Sequence, residues 1–143
     1  MEIRALSSGD TDRLIAASHL FDAHVDSELA TSFLARPGTH CLIAYVDDEP
    51  AGFVTGIEIA HPDKPTELLL YELGVDQRFR RCGIGTALSS ELASVADSLA
   101  FRGMWVLTEA DDAVALATYR AAGAGAPEKA ALLEWPLDVP AGA

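Results

Sequence analysis

The stretch Leu73-Gly-Val-Asp-Gln-Arg-Phe-Arg-Arg-Cys-Gly-Ile-Gly-Thr-Ala-Leu88 decides how this chain is read. It runs from the end of an apolar segment, through a basic corner, into Gly83-Ile84-Gly85. Beyond it Ile84, Leu88, Leu92, Val95 and Leu99 recur at spacings of three and four, which predicts a helix with one buried stripe. Before it, Glu67–Val75 reads as a central strand. A strand–loop–helix junction leaves the first amides of the helix unpaired and gives them a positive end. Gly83 and Gly85 lack a Cβ, so an anion can come close to the backbone. Arg78, Arg80 and Arg81 place three of the 10 Lys/Arg residues within four positions. Their guanidinium forks suit phosphate oxygens.

The rest of the chain has the opposite charge. Over 143 residues there are 22 Asp/Glu and a formal net charge of −12. Little positive surface is left to displace counterions from a nucleic acid, and a cationic partner is favoured. The length suits one domain, 1–143, large enough to fold without a metal or disulfide. Cys41 and Cys82 are the only cysteines, and no Cys/His cluster has ligand spacing, so no metal is expected. No apolar run reaches membrane length, and Met1-Glu2-Ile3-Arg4 does not open a signal peptide. A cytoplasmic protein is the expectation.

Working outward, Met1–Leu6 reads as a strand. Asp10 is expected to cap a helix running through His19–Phe21, and Asp26–Leu34 is a second helix. Cys41–Val46 and Ala51–Ile59, joined by Asp47-Asp48-Glu49-Pro50, form a hairpin. The Ile84 helix is expected to stop at Gly103, followed by a strand over Met104–Thr108. Asp111 or Asp112 caps a helix through Tyr119–Ala122, and Leu132–Trp135 is a last short strand. The order β-α-α-β-β-β-α-β-α-β describes an α/β (α+β) domain with a mostly antiparallel first half.

Two familiar phosphate motifs do not fit the glycine corner. The dinucleotide fingerprint needs glycine where Leu88 stands, and the nucleotide P-loop needs Gly-Lys-Ser/Thr where Gly85-Thr86-Ala87 stands. What is present is Arg-x-x-Gly-x-Gly from Arg80 to Gly85. With the strand before it and the helix after it, this resembles the acyl-CoA motif of the GNAT N-acetyltransferase superfamily. Asp112-Ala-Val-Ala-Leu-Ala-Thr-Tyr-Arg-Ala-Ala-Gly123 resembles the superfamily's later motif, with Asp112 in a place usually held by Asn. A narrower likeness is to the type I aminoglycoside 3-N-acetyltransferases. It rests on Tyr71-Glu-Leu-Gly-Val75, the Arg80–Leu88 segment, Asp111-Asp112 and the tail Leu137-Asp138-Val139-Pro140.

The resemblance implies a mixed, mostly antiparallel sheet of six to seven strands flanked by about four helices. It implies acetyl-CoA as cosubstrate, its pyrophosphate held by Arg80, Arg81, Cys82, Gly83, Ile84, Gly85 and Thr86. The pantetheine arm would lie along Leu73, Gly74 and Val75, with Gly74 permissive at a bend. Tyr119 takes the superfamily's general-acid position near the leaving sulfur. An acceptor amine of pKa ~10.4 is neutral only about once in 2,500 molecules at pH 7, a barrier of roughly 4.6 kcal/mol, so a base is needed. Glu72 is the favoured base, with Glu109, Asp111 and Asp112 as contacts to the cation; Asp111 as base is the reverse assignment. Asp111 and Asp112 also suit a plain capping role. His24 assists the base in this reading, and Asp26, with Asp22 and Glu28 nearby, supplies acceptor contacts. The acceptor class expected is an aminosugar, ahead of polyamines, metabolite amines and protein amines. A catalytically silent acyl-CoA-binding module is the alternative from another class. The apolar Leu132–Trp135 segment is compatible with pairing to a second subunit, hence a homodimer.

Overall fold

The computed structural model describes residues 1–138, so Val139 and Pro140 of the tail lie outside the described residues. Five strands form one sheet in the order β1-β2-β3-β4-β5. They are β1 (Glu2–Ala5), β2 (Thr39–Val46), β3 (Glu49–Ile59), β4 (Glu67–Val75) and β5 (Gly103–Trp105). Neighbours are antiparallel except β4 and β5, which are parallel. Four helices flank the sheet: α1 (Thr11–Ala16), α2 (Ser27–Ala35), α3 (Ile84–Ser98) and α4 (Ala113–Ala121). The class agrees with expectation, but among the described residues five strands replace six or seven.

Leu42, Ala44, Val54, Leu68 and Leu70 project to one face, where Ile84, Leu88 and Leu92 of α3 cover them. Cys41, Ile43, Tyr45 and Phe53 project to the other, beneath α1 and α2 through Leu14 and Ala30. The period-two alternation of each strand is what divides the two cores. The β2–β3 hairpin turns through Asp47 and Asp48, with φ of 49° and 63°, a left-handed pair that Asp tolerates.

Several local expectations are corrected. Asp10 stands at the N-cap of α1 as expected, its backbone O accepting from Arg13 N–H at 3.0 Å, but its carboxylate makes no capping hydrogen bond and turns back, accepting from the Ser7 N–H at 2.8 Å and the Ser7 hydroxyl at 3.1 Å. The helix predicted through His19–Phe21 ends at Ala16, and a 3₁₀ turn over Ser18–Leu20 follows. α3 ends before Gly103, because Ala100 takes the left-handed position at φ 59° and Phe101 N–H closes onto Ala96 O at 3.0 Å. Leu99 therefore falls past the helix and is exposed, while Ala96 continues the buried stripe. β5 stops at Trp105 rather than Thr108, and Leu132–Trp135 joins no strand.

Candidate active site

β4 is regular on neither side of its middle. On the β3 side the register passes from Gly56↔Leu70 to Thr55↔Glu72, so Tyr71 is an extra residue, a β-bulge. Leu68 and Leu70 face α3, and past the bulge Leu73 and Val75 do so. Tyr71 and Glu72 consequently sit together on the opposite face and line one cavity. On the other side β5 accompanies β4 only as far as Leu69↔Trp105. Glu72 N–H donates to Thr55 Oγ1 at 3.1 Å and Asp76 N–H to Ala51 O at 2.8 Å, both toward β3. Strand alternation then turns the Leu73 and Val75 amides away from β3, into the gap β5 leaves.

The bend expected at Gly74 thus lies at Tyr71. Gly74 pairs regularly with Phe53 and is glycine for space. A Cβ there would stand 2.6 Å from Phe53 Cε1 and 2.9 Å from Leu20 O.

The loop after β4 is a concave run of amides. Arg81 and Gly83 have φ of 62° and 78°, an arrangement that points successive N–H groups inward. Gly83 is the N-cap of α3 and supplies no side-chain cap. The first closed turn is Ala87 N–H to Gly83 O at 2.9 Å. Among the described residues, the six amides from Arg81 to Thr86 donate to no acceptor. Gly85 permits close packing, since a Cβ there would meet Thr118 Cγ2 at 3.2 Å, with Leu73 and Val75 beyond. The cradle and the open half of β4 therefore adjoin.

Of the three arginines, Arg78 is committed elsewhere. It bonds the Asp76 carboxylate at 2.9 Å and also pairs with Glu49. The Arg78 guanidinium holds the Asp76 carboxyl down at about 2. Arg80 Nε lies 3.4 Å from Val75 O, and Arg80 and Arg81 are exposed beside the cradle. The exposed Cys82 sits in the same loop, whereas Cys41 is buried and its thiol is pushed up to about 12, by burial first and Glu72 second.

Two cavities meet below β4. One, of about 260 Å³, is lined by Leu20, Asp22, Phe53, Tyr71, Glu72 and the Leu73–Gly74 backbone region. The other, of about 360 Å³, is walled by Phe21, Val25, Leu29 and Phe33, with His24 and Asp26 at its edge. Asp22 and Glu72 belong to both. The Glu72 carboxyl is raised above its ordinary range, by desolvation in this concavity and then by the Asp22 charge. The 3₁₀ turn places this wall: Ser18 Oγ accepts from Val25 N–H at 2.8 Å and lies 3.3 Å from His24 Nδ1. Asp26 caps α2, accepting from Leu29 N–H at 2.9 Å.

Glu109, Asp111 and Asp112 line neither cavity. Asp112 caps α4, accepting from Ala115 N–H at 3.0 Å, and Asp111 and Glu109 shape the turn before it. Tyr119 is half-buried against the α3-side core, and its hydroxyl is raised by burial and then by Asp112. The sequence placed Asp22 only as a neighbour of the Asp26 acceptor contacts. Its place opposite Glu72 comes from a turn about 50 residues away in the chain. Among the described residues no group of three His, Cys, Asp or Glu side chains is placed to hold a metal ion, and no helix is long and apolar enough to cross a membrane.

A splayed, bulged strand ending in a cradle of bare amides, beside a carboxylate-lined hollow, is the frame of an acyl-transfer enzyme that holds a phosphorylated donor. The chain belongs to the acetyltransferase (GNAT) family, whose model matches residues 10–124. No curated protein matches it by sequence. Among solved structures it is similar to an aminoglycoside acetyltransferase from an uncultured soil metagenomic sample, in complex with trehalose. The identity is 22%, 96% of each chain is covered and the TM-score is 0.88. It is also similar to AAC(6')-Iy in complex with the bisubstrate analogue CoA-S-monomethyl-acetylneamine, at 17% identity, 95% and 98% coverage and a TM-score of 0.77. A ribosomal-protein-alanine N-acetyltransferase from Brucella melitensis biovar Abortus 2308 matches at 19% identity, 94% and 98% coverage and a TM-score of 0.73. The shared fold thus spans acceptors of more than one kind.

Proposed function

We propose that this acetyltransferase moves an acetyl group from acetyl-CoA to an amine of a cationic aminosugar, with aminoglycosides as the substrate class. The observation that carries the reading is the Asp22/Glu72 pair, shared by two adjoining cavities at the open half of β4. A flat sugar bearing several ammonium groups suits such a hollow, because one carboxylate anchors a cation while the other takes a proton. The likeness of Tyr71–Val75 and Arg80–Leu88 to the type I enzymes puts the 3-amino group forward as the acceptor nitrogen.

The residues present fit the donor. The amides of Arg81–Thr86 would hold its diphosphate, with Arg80 and Arg81 beside them, and the Leu73 and Val75 amides would pair its arm. When bound it supplies an activated acyl thioester. Glu72, its basicity raised by its surroundings, accepts the proton that frees the amine lone pair. An amide of the open β4 edge stabilises charge developing on the acyl oxygen. Asp22 holds a second ammonium group of the acceptor, and His24 and Asp26 extend the contact surface. Tyr119, half-buried on α4 against the α3-side core, would orient the departing sulfur.

The test is release of free CoA thiol across aminoglycosides, polyamines and peptides, with the product's new amide located by NMR. Aminoglycosides are expected to give the highest kcat/KM. Glu72→Gln should lower it by roughly 10²–10⁴-fold while CoA affinity stays. Turnover confined to peptides, or none at all despite CoA binding, would overturn the proposal.

A further inference from the structure

The larger of the two cavities has a wall that proton transfer and cation anchoring leave unused. Phe21, Val25, Leu29, Ala30 and Phe33 form it, and Asp22 and Glu72 lie where it meets the smaller cavity. Phe21, Val25, Ala30 and Phe33 also pack into the core under the sheet. Leu29 joins no core cluster and stands 72% exposed. One exposed leucine is ordinary, but this one extends an apolar surface already four side chains wide. The wall is stiff, because Phe21 is stacked on the buried Phe53 at 3.8 Å.

This wall has nothing to offer a hydroxyl group. None of the cavity's lining residues carries a hydroxyl or amide side chain. The nearby backbone donors are already engaged. Val25 N–H donates to Ser18 Oγ at 2.8 Å, Leu29 N–H to the Asp26 carboxylate at 2.9 Å and Ala30 N–H to Asp26 O at 2.8 Å. His24, the remaining polar lining group, lies 3.3 Å from Ser18 Oγ through Nδ1. A hydroxyl pressed against such a wall gives up water and gains no partner, whereas a C–H edge loses nothing.

We propose that this compartment selects aminosugars whose ring next to the reacting amine is deoxygenated. The ring's hydrocarbon edge lies on Val25, Leu29 and Phe33 while ammonium groups meet Asp22 and Glu72. The inference rests on the proposed acetyl transfer to aminosugars, and the occupant's division into charge and hydrocarbon matches that of the cavity. At about 360 Å³ the space is near the low end of the roughly 300–1,000 Å³ of small-molecule sites, so it takes one ring and leaves the rest of the sugar outside. In aminoglycosides the primed ring is joined to the carbon beside the one bearing the 3-amino group. A 3-amino nitrogen at Glu72 therefore brings that ring to the wall.

The test compares kanamycin B with dibekacin, the same molecule lacking two adjacent hydroxyls of the primed ring. Affinity is read by calorimetry on the CoA-loaded protein, and kcat/KM by thiol release with acetyl-CoA. Dibekacin is expected to bind about tenfold to a hundredfold more tightly, with the same factor in kcat/KM. Leu29→Asn places a hydrogen-bonding side chain on the wall at an exposed position and should cut the ratio to about threefold or less. Leu29→Met should keep it, and CoA affinity should be unaltered in both. Equal affinity for the two sugars, or a ratio that Leu29→Asn leaves as in wild type, overturns the compartment. Discrimination without thiol release counts against acetyl transfer alone. Binding of neither sugar overturns the inference together with the aminosugar reading; phenethylamine held in their place, and lost in Leu29→Asn, would then assign the wall to an arylalkyl amine.

Discussion

Gly74→Ala isolates the reason for a glycine in the middle of the site. The added methyl would stand 2.6 Å from Phe53 Cε1 and 2.9 Å from Leu20 O, both too close. Phe53 cannot yield freely, being 3% exposed and stacked on Phe21 at 3.8 Å. Leu20 O is backbone at the end of a 3₁₀ turn and yields only if the turn moves. Overpacking of this kind costs about 1–3 kcal/mol. Alanine recovers about 0.4–1 kcal/mol through the unfolded chain, leaving a net loss of about 1–2 kcal/mol. For this size of domain that lowers Tm by about 3–6 °C. The displaced groups, Phe53 and Leu20, line the hollow that holds Glu72. Differential scanning fluorimetry should therefore show the fall in Tm, and steady-state kinetics a raised acceptor KM with CoA affinity kept. Gly83→Ala is the contrast, as a Cβ there meets nothing within 4 Å but inherits a φ of +78°. It should strain the cradle and weaken CoA binding instead. A Gly74→Ala protein as stable as wild type, with normal acceptor KM, would refute the packing argument.

Three further outcomes are expected. Asp22→Asn removes the charge that helps hold the Glu72 carboxyl up, so the acid limb of kcat/KM should move to lower pH; a limb that stays put or moves upward contradicts the pairing. Tyr119→Phe should lower kcat by about tenfold to a hundredfold, because a phenol raised by burial donates uphill to a thiolate that already leaves well; complete loss with normal CoA affinity argues for obligatory acid catalysis. Asp112→Ala should destabilise by about 0.5–2 kcal/mol through the lost cap of α4, read by chemical denaturation, and leave acceptor KM alone; a raised KM would return Asp112 to the acceptor site.

The cradle was legible because its signal is local: glycines at fixed spacing between a strand and an amphipathic run. The bare amides of Arg81–Thr86 are those the motif led one to expect. Arg78 was misjudged: Asp76 stands two positions before it, and Glu49, at the start of β3, reaches it only through the pairing of β3 with β4. The bulge left a readable trace that went unused. Buried positions run Leu68, Leu70, then Leu73, Val75, and an interval of three within a period of two marks an extra residue. Asp22 had no such trace, because its position depends on how the 3₁₀ turn packs against β3 and β4. The end of α3 was misplaced by giving Gly103 a role that Ala100 fills at some conformational cost.

The two thiols differ in temper. Cys41 is walled into the core and kept protonated by its surroundings, so alkylating reagents will pass it by. Cys82 lies open in the loop beside the bare amides. A single environment-sensitive dye can thus be attached to the unaltered chain, at a point where its emission would report filling of the anion cradle before any acyl group moves.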